Sequence, residues 1–191
     1  MNTVGVDMGQ QNDGQEQFLV LGGGCFWCLD AAFRSLSPVR SVQCGYAAGT
    51  IPFPSYEQVC TGQTGHAEVV RVGWDPDQWG IEDVLEVFFK IHDPTTLNRQ
   101  GHDVGTQYRS LIVLEDACVL GAVQAILERQ QLNWSRPIVT EILVGMPFYP
   151  AEVEHQDYFR HHPNQGYCRV VIAPKVNALK EQFASLWHSQ T

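Results

Sequence analysis

Residues 19–33 read LVLGGGCFWCLDAAF, and most of the fold can be worked outward from them. The apolar run Phe18–Leu21 is too short for a helix and is stopped by Gly22, Gly23 and Gly24, which marks a buried strand ending in a tight turn. From Cys25 onward Phe26, Leu29, Phe33 and Leu36 recur at helical spacing. Pro38 sets the end of that helix, because the residue before a proline is pushed out of helical conformation. Strand, glycine turn and helix therefore meet at Cys25, where Cys25 and Cys28 bracket a Phe-Trp pair.

Downstream, Val39–Tyr46 and Ala67–Trp74 read as strands separated by a loop rich in Gly, Pro and Thr. Ile81–Ile91 is a strongly apolar helix. Residues 92–107, HDPTTLNRQGHDVGTQ, carry no hydrophobic period, and irregular stretches of that length inside compact domains are usually functional. Ser110–Leu114 is predicted as a strand, Ala117–Leu132 as a helix and Ile138–Val144 as a strand. A short amphipathic helix is expected over 150–161, a strand over Val170–Ala173 and a final helix from Lys175. The strand-to-strand step between 39 and 74 breaks strict βαβ alternation. The pattern points to an α+β fold, a mixed sheet with packed helices forming a two-layer sandwich with a ferredoxin-like core. The polar residues 1–16 are expected to be a flexible tail, and 17–191 a single catalytic domain.

Composition excludes several function classes. A hydrophobic content of 44% with 17% charged residues describes an ordinary globular chain. A net charge of −9 with no Lys/Arg run argues against nucleic acid as a partner. Neither a secretory signal nor a run of 18 apolar residues occurs, so no membrane association is expected and a cytoplasmic location is the default. Six cysteines in 191 residues are too sparse for a disulfide scaffold, which leaves catalysis, metal binding or burial.

A structural zinc site needs four ligands, and a single Cys-x-x-Cys pair without suitably spaced histidines does not supply them. No metal and no organic cofactor is expected. A cysteine at the start of a helix faces unpaired N–H groups and the positive end of the helix dipole, which lowers its pKa toward neutrality and favours the reactive thiolate. Cys25 is thus a candidate nucleophile. A thioredoxin-type oxidoreductase would place small residues between the two cysteines, whereas Phe26 and Trp27 make an apolar shelf suited to a small apolar substrate group. A papain-like hydrolase would need a histidine beside Cys25. A redox role fits better, and core burial of both cysteines is the plain alternative.

The segments GGCFWC, GYAAG, PSYEQVCTGQTGHAEVVRV, HDPTTLNRQGHDVGTQYRS and FYPAEVEHQDYF occur in an order that resembles the A-type peptide-methionine sulfoxide reductases. The resemblance spans about residues 18–176. It implies thiol-dependent reduction of the S-epimer of methionine sulfoxide in damaged proteins, with the free amino acid as a further substrate. In that mechanism Cys25 attacks the sulfoxide sulfur and Glu68 protonates the oxygen. Tyr46 and Tyr108 hydrogen-bond the oxygen, Asp103 shapes the site, and Phe26 and Trp27 wall the pocket for the terminal methyl. His66 and His155 also stand in family motifs, with structural roles equally open to them. The sulfenic acid left on Cys25 would be resolved by Cys28 or Cys168, with Cys28 favoured because short loops close readily. Thioredoxin would reduce the resulting disulfide, and the enzyme is expected to be a monomer. Cys44, Cys60 and Cys118 are expected to be buried bystanders. A general dithiol–disulfide oxidoreductase and a catalytically silent sulfoxide-binding module remain alternatives.

Overall fold

The computed structural model describes residues 16–188, so the expectation for the first fifteen residues lies outside the described part. The predicted opening holds. Strand β1 spans Gln17–Gly22 and helix α1 spans Phe26–Arg34, joined by the glycine turn with Cys25 at the helix N-cap. Strands β2 (Val39–Ala47) and β3 (Ala67–Trp74) follow as an antiparallel pair, separated by a five-residue helix, α2 (Tyr56–Cys60). Helix α3 (Ile81–Ile91) leads to the irregular segment, which holds a small hairpin, β4 (Arg99–Gln100) and β5 (Asp103–Val104), and a 3₁₀ turn at Thr106–Tyr108. Strand β6 (Leu111–Leu114), helix α4 (Leu120–Gln131) and strand β7 (Glu141–Val144) form a crossover, after which strand β8 is Phe148–Pro150.

The main sheet runs β7-β6-β1-β3-β2-β8. It is mixed, with β6 and β7 parallel and every other neighbouring pair antiparallel. Its middle four strands, with α1 and α3, follow the chain order β-α-β-β-α-β. Alternation decides which side chains meet which layer. Leu19, Leu21, Val42, Cys44, Tyr46, Val70, Val72 and Trp74 face the helices, against Phe26, Leu29 and Phe33 of α1 and Leu85 and Phe88 of α3. Val20, Ala47, Ala67, Val69, Leu111 and Val113 face the other way, covered by Leu143, Met146 and Phe148. Strands β1 and β3 are thus buried on both faces, which is why VLVL-like runs stand where a half-exposed strand would alternate.

Three expectations need correction. Val170–Ala173 is not a strand. It belongs to a π-helical turn, Cys168–Ile172, that runs straight into α6 (Ala173–Gln182). The β-branched pair Val170-Val171 suggested a strand, but Cys168, Ile172, Val176 and Leu179 are the buried positions, and that spacing is helical. Nor are residues 150–161 one helix. A 3₁₀ turn at Val153–His155 is separated from the short α5 (Tyr158–His161) by Asp157, which has a left-handed backbone at φ 52°. Finally, Cys60 and Cys118 are exposed, Cys60 on the last turn of α2 and Cys118 in the loop before α4, and only Cys44 of the three bystanders is buried.

Candidate active site

The glycine turn brings two distant segments against Cys25. A side chain at Gly24 would come within 2.7 Å of Gln100, and its φ of +92° disfavours any L-residue with a side chain. At Gly23 a side chain would come within 2.9 Å of the ring of His92. The turn therefore lies flat on the end of α3 and the β4 strand, and the Gly24 N–H donates to the Tyr108 carbonyl at 3.2 Å. His92 is locked beneath it: its Nδ1 donates to the Phe88 carbonyl at 2.7 Å and its Nε2 pairs with the Ser110 hydroxyl at 2.8 Å. Burial lowers the His92 pKa to about 4, so the ring is neutral.

Cys25 starts α1, but the dipole argument for a thiolate does not hold in the resting site. The Phe26 N–H is bonded to the Glu68 carboxyl at 3.1 Å, and the Trp27 N–H that does reach the sulfur lowers its pKa too little to offset burial. Burial, the hydrogen bond shared with Cys28 and the proximity of Glu68 push the Cys25 thiol well up. Cys28 moves the other way, lowered chiefly by its hydrogen bond with Cys25 and also by the charge of Lys175, against its own burial. The two sulfurs are in contact as thiols, one helical turn forming the bridge between them. Cys168 is fully buried, and burial first and the charge of Cys28 second raise its pKa.

Glu68 is 1% exposed. It lies on β3 directly opposite Tyr46 of β2, both on the helix-facing side of the sheet. Burial raises its pKa to about 8, against the lowering effect of the Phe26 hydrogen bond. A carboxyl group that keeps its proton at neutral pH beside a cysteine is poised to act as an acid.

The tyrosines divide by partner. The Tyr46 hydroxyl donates to Glu152 at 2.8 Å, and the other Glu152 oxygen accepts the Tyr56 N–H at 2.8 Å. Tyr46 is therefore committed to Glu152. Tyr108 carries no such bond among the described residues, and burial, Glu68 and Cys25 raise its pKa. Tyr56, absent from the sequence-based set, belongs beside it. Its ring stacks on Phe26 at 6.3 Å and packs at a tilt against His155 at 4.3 Å, and burial, Glu68 and Cys25 raise its pKa, as does a hydrogen bond with Cys60. A signal for it was present. Ser55 and Gln58 form a capping box, legible as S-x-x-Q, that starts α2 and so fixes Tyr56.

Phe26 is wholly buried and forms the floor, touching Tyr46, Tyr56 and His155. Trp27 is partly exposed and stacked face to face on Tyr158 at 3.9 Å. Its indole N–H and the Nδ1 of His155 are buried without a hydrogen-bond partner among the described residues. Asp103 accepts the Tyr167 hydroxyl at 2.6 Å, so it does join the site, through the residue preceding Cys168. His66 does not. Its ring is spent on the 49–51 loop, accepting from the Gly49 N–H at 3.1 Å and donating to the Ile51 carbonyl at 2.7 Å. Two roomy clefts of about 620 and 570 Å³ lie elsewhere, around Arg34 and Asp157, and contain none of these groups. No cluster of metal-ligating side chains occurs among the described residues.

Residues 17–187 match the sequence model of the peptide methionine sulfoxide reductases. The chain belongs to that family. Over 169 residues it is 51% identical to the peptide methionine sulfoxide reductase MsrA of Polynucleobacter asymbioticus, covering 87% of this chain and 88% of that one. The reduced form of Mxr1 from Saccharomyces cerevisiae superposes with a TM-score of 0.74 at 34% identity, over 80% of this chain and 89% of that one. Mxr1 in complex with Trx2 matches with a TM-score of 0.54 at 26% identity, over 75% of this chain and 84% of that one. As a peptide methionine sulfoxide reductase the protein is an oxidoreductase. No helix among the described residues is long and apolar enough to cross a membrane.

Proposed function

We propose that the protein reduces the S-epimer of methionine sulfoxide through Cys25, with Glu68 as the acid and Cys28 as the resolving cysteine. The observation that carries this reading is the buried Glu68 carboxyl, titrating at about 8 and bonded to the first turn of the helix that Cys25 begins. Cys25 rather than Cys28 is taken as the attacking sulfur, because the Glu68 carboxyl is bonded to the N–H of the next residue, Phe26, and Tyr56 and Tyr108 both sense the charge of Cys25. The Cys25 sulfur attacks the sulfoxide sulfur while Glu68 protonates the oxygen, and Tyr108 and Tyr56 donate to that oxygen. Phe26 and Trp27 hold the methyl. The Cys25 thiol proton is lost as the S–S bond to the substrate forms, and the protonated oxygen leaves as water. A water then attacks the Cys25 sulfur, breaking that S–S bond to release methionine and leave a sulfenic acid, its surplus proton returning to Glu68.

Cys28 then attacks the Cys25 sulfur, releasing water and forming a disulfide. The charge of Lys175, which lowers the Cys28 pKa, favours loss of its proton in this step. Reduction by a thioredoxin restores both thiols, a partner supported by the complex of Mxr1 with Trx2. Protein-bound and free methionine sulfoxide are both taken as substrates. The test is dithiothreitol-supported turnover of the two separated epimers. Consumption of the S-epimer alone is expected, and equal consumption of both would refute the reading.

A further inference from the structure

The acid and the two phenols assigned above stand on a strand, a short helix and a 3₁₀ turn, each preceded by a bend, and one side chain outside the reacting groups reaches all three bends. Arg109 is 9% exposed. Its Nη1 donates to the Thr106 carbonyl at 2.9 Å, and its Nη2 donates to the carbonyls of Ala48 at 3.2 Å and Gly65 at 3.1 Å. Its Nε faces the Glu141 carboxylate at 3.5 Å. Each accepting residue stands at a bend that launches a site residue. Ala48 follows the end of β2, between Tyr46 and Tyr56, with a left-handed backbone at φ 64°. Gly65, also left-handed at φ 73°, precedes Glu68 by three positions. Thr106 opens the 3₁₀ turn that ends in Tyr108.

We infer that Arg109 is the positioning residue of this site, a buried guanidinium that clamps the three loops so that Glu68, Tyr56 and Tyr108 converge on one substrate oxygen. The inference rests on the function proposed above. Only a planar fork of fixed N–H vectors reaches three carbonyls from different directions, and an ammonium in the same place is a compact charge that does not reproduce the fork. The clamp also seals the pocket. Loops that part at Ala48, Gly65 and Thr106 admit water to Glu68, and a solvated carboxyl loses the raised pKa that burial gives it.

The test is the pH dependence of single-turnover methionine release in the full-length protein. In the wild type the rate should fall through an alkaline limb near pH 8, where Glu68 loses its proton. Arg109→Lys should slow release at pH 7 by tenfold or more, leave KM within about twofold, and move the alkaline limb at least half a unit toward lower pH. A purely structural lysine variant would lose active protein while its remaining activity kept the limb in place, and that result overturns the inference. If Arg109→Lys does not fold, Glu141→Gln carries the test, since Glu141 is half exposed and holds only the Nε side of the clamp. A smaller shift of the limb in the same direction is expected, and an unmoved limb overturns the inference. Absence of any alkaline limb in the wild type would instead strike at Glu68 as the acid.

Discussion

Replacing Glu68 by Gln should make the protein a far worse catalyst and a more stable one, and the two effects have a common origin. Gln keeps the size of the side chain and an oxygen that can accept the Phe26 N–H, now at 3.1 Å. It cannot hand a proton to the sulfoxide oxygen. Loss of a positioned general acid costs about 10²–10⁴-fold, which is the expected fall in the rate of methionine release in a single turnover. Stability responds in the opposite sense. Glu68 titrates at an ordinary 4.5 when exposed but at about 8 when buried in the native state. Between those values the unfolded chain has released the proton and the native chain holds it, so native stability falls as pH rises by about 1.4 kcal/mol per unit. At pH 7 that linkage destabilises the wild type by about 3 kcal/mol, an order-of-magnitude figure for a side chain that is 1% exposed. Glutamine does not ionise and escapes it. Urea unfolding of both proteins from pH 5 to pH 8 should therefore show Glu68→Gln gaining on the wild type as pH rises, with the difference levelling off above about pH 8. A stability difference that does not change with pH, or a single-turnover rate within threefold of wild type, would refute the argument.

Cys28→Ser should still release one methionine per enzyme without reductant but lose thioredoxin-supported cycling, whereas Cys168→Ser should cycle nearly as the wild type does. Peptide mapping after stoichiometric oxidation should find Cys25 and Cys28 joined within one tryptic fragment, and a dominant Cys25–Cys168 link would reverse the assignment. Tyr56→Phe should slow single-turnover release by tenfold or more if, as proposed, its hydroxyl donates to the sulfoxide oxygen. Tyr46→Phe should leave that rate within about threefold and show its loss instead as lowered thermal stability, its hydroxyl being bound to Glu152; the converse pattern would return Tyr46 to the chemistry.

The first third of the chain was legible because its local signals agree. The glycine triplet, the helical spacing after Cys25 and Pro38 all point one way, and β1, α1 and β2 form where they were expected. The strand forecast at Val170–Ala173 failed because β-branched residues are only a weak prior when tertiary contacts decide. Burial at Cys168, Ile172, Val176 and Leu179 outweighed them. Of the site, Cys25 and Glu68 could be named from the family motifs, but their protonation states could not. Local reasoning saw a helix N-terminus and forecast a thiolate. It had no access to the burial of Cys25, or to the long-range bond between the Phe26 N–H and Glu68, 42 residues on, that brings a carboxyl group close to the sulfur. The difference between Tyr46 and Tyr56 was hidden for the same reason, since it is Glu152, about a hundred positions away, that engages the hydroxyl of one and only the backbone of the other.

The Cys25 thiol and the Glu68 carboxyl are both uncharged at neutral pH, and this gives the pocket a chemical temperament opposite to that of a peroxidase. Peroxides and alkylating agents seek thiolates, and a buried neutral thiol answers them slowly. A sulfoxide differs in carrying a basic oxygen. On the proposed mechanism, protonation of that oxygen by Glu68 makes the substrate sulfur electrophilic, and only then does the neighbouring sulfur have something to attack. Selectivity of this kind would come with the guest: under that mechanism the host keeps its nucleophile disarmed among oxidants and arms it against a lesion that can accept the carboxyl proton.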